Sequence, residues 1–195
     1  MYPLAAALPL PEPGTVTAPP PHAGRRMIVV ALAGASVSVA LGVYGRVHRP
    51  THGRINDLFF PSLLSMKAWL ATLMLGLVLF QLFSAMWMFG RLPFARTPRW
   101  VPVAHRWSGT AAFLVSLPVA FHCLWALGFQ KQDARQIAHG LFGCFFYGAF
   151  TTKLLCLHTD NLPKWRLPVV GGLLLTALTG VWLTSALWFF TTIGV

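Results

Sequence analysis

"VAFHCLWALGFQKQDARQIAHG" runs from Val119 to Gly140. Its first part is apolar apart from His122, Gln130–Gln136 is polar and charged, and the chain then turns apolar again. So short a charged interval between two oily runs reads as a tight connection between two helices that both cross a membrane. A histidine stands on each side of it, His122 before and His139 after.

Working outward, the same pattern repeats. Of the 195 residues 56% are hydrophobic and 10% are charged, against about 25% charged in soluble domains. Five long apolar segments are predicted as spanning helices: Met27–Tyr44, Leu63–Gly90, His105–Phe129, His139–His158 and Leu167–Phe190. The expected fold is therefore all-α, a polytopic membrane protein with an antiparallel bundle of about five transmembrane helices. Trp100, Trp107, Trp125, Trp165 and Trp188 fall near segment ends, where interfacial aromatics belong. Pro118 predicts a kink in the third helix.

Residues 1–24 hold seven of the 15 prolines and no charge except Glu12, the composition of a disordered tail. Residues 25–195 then make the membrane domain. Arg25-Arg26 ahead of an apolar run resembles the start of a secretory leader, but the long Pro-rich stretch before it is unlike an ordinary n-region, so a first spanning helix is expected.

The charges are one-sided, 15 Lys+Arg against 4 Asp+Glu. They lie in short clusters between apolar runs, which points to lipid headgroups and to no nucleic-acid partner. Counting Lys and Arg between the spans favours a cytoplasmic N-terminus in a bacterial plasma membrane. His48 and His52, with Arg46, Arg49, Arg54 and Lys67, form a basic outer surface suited to lipid phosphates or an anionic redox partner.

Four histidines sit at the ends of two successive helices: His105 and His122 on the third, 17 residues apart, and His139 and His158 on the fourth, 19 apart. Antiparallel neighbours would level His122 with His139 and His105 with His158, in two layers separated by roughly 25–29 Å. Facing imidazoles are what a bis-His haem requires. Gly140, Gly143 and Gly148 on the fourth helix, and Gly109 beside His105, offer small surfaces for a porphyrin. Arg106 and Lys153 at one level, and Lys131 and Arg135 at the other, would balance propionates.

"HRWSG" (105–109) and "AFHC" (120–123) resemble the His-bearing helices of transmembrane b-type cytochromes, nearest in style to the ferric-reductase and ascorbate-reducible groups. That resemblance implies one or two b haems on His105, His122, His139 and His158, electron transfer across or along the membrane, and a redox partner protein or quinone. Lys67–Phe190, with "LPVAFHCLWALGF" and "WLTSALWFF", also resembles a little-characterised actinobacterial integral-membrane family, which implies no activity. The spacings of 17 and 19 are wider than usual for di-haem helices. On an ideal helix they turn the two histidines of each pair about 100° apart, which a kink at Pro118 is able to correct only in the third.

Other readings stand beside this one. Histidines at helix ends also serve as plain interfacial polar groups. His122 and Cys123 with Cys144 suit copper. Gln81 suits an interhelical hydrogen bond better than a quinone. No phosphate-binding loop, dinucleotide fingerprint, zinc-protease motif or nucleophile elbow is present. The competing function is a cofactor-free anchor or scaffold subunit of a larger membrane complex.

Overall fold

The computed structural model describes residues 22–53, 58–93 and 96–194. The expected tail over 1–24 lies mostly outside the described residues, as does Arg54. The described residues form helices and loops, without strands: α1 Ala23–Val47, α2 Leu63–Met88, α3 Trp100–Phe121, α4 Ala134–His158, α5 Arg166–Trp182 and α6 Trp188–Thr192. A five-residue π-helical turn, His122–Ala126, extends α3, and a second, Leu183–Leu187, joins α5 to α6. Counting these continuous stretches, five helices are long and apolar enough to cross a membrane. The protein is a multi-pass helical bundle suited to a lipid bilayer.

α2 starts at Leu63 as expected, whereas α3 and α4 start five residues upstream of their apolar runs, at Trp100 and Ala134. Ser62 accepts the Ser65 amide (3.1 Å) at the head of α2, and Asp133 accepts the Gln136 amide (2.7 Å) at the head of α4. The charged interval is thus partly the first turn of α4. His139 lies more than a turn inside its helix, and His105 likewise lies in the second turn of α3.

The packing corrects one expectation. α3 and α4 follow each other through a short loop, yet their backbones stand apart: α3 packs on α2, α2 on α5, and α5 on α4, whose other side carries α1. Side-chain size explains this. Gly34 and Ser38 of α1 cross Gly148 and Thr152 of α4 so closely that a β-carbon on either glycine would strike the opposite hydroxyl side chain and backbone carbonyl. This is the small-residue contact by which membrane helices associate. The α3–α4 faces instead carry rings. Phe113 stacks on Phe150 (centroids 4.5 Å apart), and Tyr147 meets Phe113 edge-on and donates to Ser116 Oγ (2.8 Å).

The π turn after Pro118 is held from outside. The Leu127 amide reaches back to the His122 carbonyl (3.1 Å). Carbonyls of Trp125 and Ala126 accept from the loop after α1: from His48 Nε2 (3.1 Å), the Thr51 hydroxyl (3.4 Å) and the His52 amide (3.0 Å). His48, stacked on Tyr44, therefore closes the end of α3.

Candidate intramembrane site between α3 and α4

Holding α3 and α4 apart leaves a cavity of about 320 Å³ at their loop-connected end, within the size range of small-ligand sites. His139 faces it from α4, Cys123 and Ser116 from α3, Lys67 from α2, and Thr184 and Trp188 from the last span. Leu178, Val181, Met74 and Phe146 make its floor and walls apolar.

Cys123, not His122, meets His139 here. The Cys123 thiol lies 3.9 Å from His139 Nε2. Lys67 is within electrostatic reach of Cys123. The other face of His139 is fixed by Thr184. That hydroxyl donates to the Gly180 carbonyl (2.6 Å), so at 3.3 Å it accepts the His139 Nδ1–H. His139 therefore turns its bare Nε2 toward the cavity. His122 is 3% exposed and does not line this space. Its Nδ1–H donates to the Pro118 carbonyl (2.8 Å), and its buried Nε2 has no hydrogen-bond partner among the described residues. Few buried polar atoms are left so.

The other expected pair is not assembled. His105 donates through Nδ1 to Ser84 Oγ (2.7 Å), whose own proton goes to the Phe80 carbonyl (2.7 Å). The α4 cation in electrostatic reach of His105 is Lys153. His158 is exposed and donates to the Leu154 carbonyl (2.8 Å) of its own helix. The mismatch of facing agrees with the wide spacings: the helical turn sets the two histidines of one helix in different directions.

The glycines and cations divide similarly. Gly143 alone of the four expected porphyrin-facing glycines opens to the cavity with clear space where a side chain would be. Gly140 also lines it, but the Phe129 ring rests against it; Gly148 serves the α1 crossing, and Gly109 receives the Gln81 amide. Arg135 lines the cavity, donating to the Thr184 carbonyl (2.8 Å) with its guanidinium 4.1 Å from the Trp188 ring centre. Lys131 and Arg106 are exposed. The copper reading gains no three-ligand cluster among the described residues.

Gln81 makes the interhelical bond expected of it, donating to Ser108 Oγ (2.8 Å) and to the His105 carbonyl. Gln81→Leu should lower the stability of the detergent-solubilised protein by about 1 kcal/mol, read as a lower thermal midpoint, while leaving the cavity at the opposite end intact.

Lys67 and Thr184 are site residues that the sequence did not single out as such. Lys67 falls in the first turns of the expected second span and groups in sequence with the outer basic surface, yet it lines the cavity instead. Thr184 carries no local signal, because its role depends on how α5 sits against α4.

The fold and cavity define a class, a five-span helical membrane protein with an apolar internal site presenting imidazole and thiol. Within that class the chain belongs to the family of unknown function DUF6529, which matches residues 27–195. No curated protein and no solved structure matches it.

Proposed function

We propose that this protein is a membrane electron carrier holding one haem b in the α3–α4 cavity, with His139 as an axial ligand. One observation carries the reading. Each of the four helix histidines commits its Nδ1–H to an acceptor, namely Ser84 for His105, Pro118 for His122, Thr184 for His139 and Leu154 for His158, so that Nε2 carries no proton. That tautomer, fixed by a second hydrogen bond, is the one an imidazole ligand uses. Of the four, His139 also faces a cavity.

The residues around it fit the group. Gly143 leaves room on α4, and Phe129 resting on Gly140 is the side chain that turns away to admit a larger ring. Arg135, which also pairs with Asp133 (3.7 Å), lines the cavity and would compensate a propionate. The opposite ligand comes from the start of the π turn, His122-Cys123, and π turns recur at functional sites. Haem supplies reversible one-electron transfer there; the protein orients it and excludes water. One haem is expected rather than two, since His105 is engaged by α2 and His158 faces outward. The setting is a bacterial plasma membrane with a cytoplasmic N-terminus, and the donor or acceptor is a redox protein or quinone.

A dithionite-reduced minus oxidised visible spectrum of the purified chain, with haem quantified, tests this. A b-type α-band at one haem per chain supports it. A folded, haem-free preparation from haem-replete cells refutes it and leaves a second reading, an anchor or scaffold subunit. That reading draws on Gly76 and Gly172, exposed on helix faces where an added β-carbon would meet no other described residue, as a partner helix would require.

A further inference from the structure

We infer that the ligand opposite His139 is the thiolate of Cys123, not the imidazole of His122. This rests on the haem reading and sharpens it.

Three observations point the same way. First, Cys123 Sγ and His139 Nε2 already lie 3.9 Å apart across one cavity. One metal ion held between them would take a nitrogen and a sulfur donor from this pair, with room for the ring supplied by the cavity. Second, a thiolate in hydrocarbon requires a cation, and Lys67 lines the same cavity as Cys123. Third, His122 does not line that cavity, and its Nδ1–H is tied to Pro118. To reach His139's side it must break that bond and exchange places with Cys123.

Ligation forms an iron–sulfur bond and breaks the Cys123 S–H bond. The proton leaves to water at the loop-connected end of the bundle. The thiol–imidazole contact is replaced by two bonds to one metal. No electron is transferred in this step, so no oxidant is needed.

The test uses the full chain loaded with haem in detergent, as wild type, Cys123→Ala, Cys123→Ser and His122→Ala. Ferric electron paramagnetic resonance and magnetic circular dichroism read the ligands. The expected wild-type spectrum is low-spin with thiolate charge transfer. Both Cys123 variants should lose that signature and become high-spin while retaining haem, and His122→Ala should keep it. A parallel readout follows the chain itself: with Cys144 and Cys156 replaced by serine, haem loading should protect Cys123 from a maleimide. The inference is overturned if the wild type is bis-imidazole low-spin and only His122→Ala turns it high-spin. It is equally overturned if Cys123 stays labelled after loading. A wild type that binds no haem overturns the haem reading as well, which is a separate result from a haem bound through His122. Should Cys123→Ala unfold, Cys123→Ser keeps the comparison.

Discussion

Replacing His139 with alanine should abolish haem retention while the helical content stays unchanged. His139 is the imidazole whose bare nitrogen faces the α3–α4 cavity. On the haem reading, removing it would delete a metal bond rather than tune one. Thr184→Ala should act in the same direction but more weakly. It removes the acceptor of the Nδ1–H (3.3 Å), and loss of such a supporting bond typically weakens binding about 10–100-fold. His158→Ala should leave haem content untouched, because that side chain is exposed and bonds only within its own helix. Haem per chain by pyridine haemochrome, with circular dichroism as the fold control, decides it. If His139→Ala keeps full haem and the wild-type spectrum, His139 is not the ligand and the cavity has another use.

Gly148→Leu should be the most damaging single change to the bundle. A β-carbon there would strike Ser38 and the Gly34 carbonyl, and the second of these is backbone that cannot swing away. Overpacking of this kind costs about 1–3 kcal/mol or more, and here it acts on the contact by which α1 is held. The expected result is a lower thermal midpoint and easier proteolysis after α1. Gly143→Ala provides the contrast on the same helix. Nothing stands near its added carbon, and an interior helical Gly→Ala change gains about 0.5–1 kcal/mol, so stability should hold or rise. Equal losses for both variants would remove the close-crossing argument.

The distinction between these two glycines shows what sequence reading reaches. Both sit in one apolar run, and both look like small surface for a porphyrin. Only the packing of α1 assigns Gly148 to a helix crossing and leaves Gly143 open to the cavity. His122 and Cys123 divide in the same manner. They are adjacent in sequence, and one step around a helix decides which faces α4. Wide spacing already warned that paired histidines would not share a face. Which residue replaced His122 depended on the π turn, whose Trp125 and Ala126 carbonyls are held by His48, Thr51 and His52 from a distant loop.

By itself the sequence determined the class of fold and where each span lies. Hydrocarbon demands about twenty consecutive apolar residues with their backbone bonded internally, and that demand is written locally in every segment. It also singled out two helices by their histidines, because imidazoles are rare enough in an apolar chain to stand out. Only the tertiary structure decided that the α4 backbone lies close to α1 and α5 while α3 meets it through ring side chains, that a cavity opens between α3 and α4, and that Cys123, Lys67 and Thr184 surround His139 within it. Those outcomes depend on the sizes of side chains meeting from segments far apart in the chain. Glycine against glycine draws two helices together and ring against ring holds two apart, and no local pattern records which faces will meet.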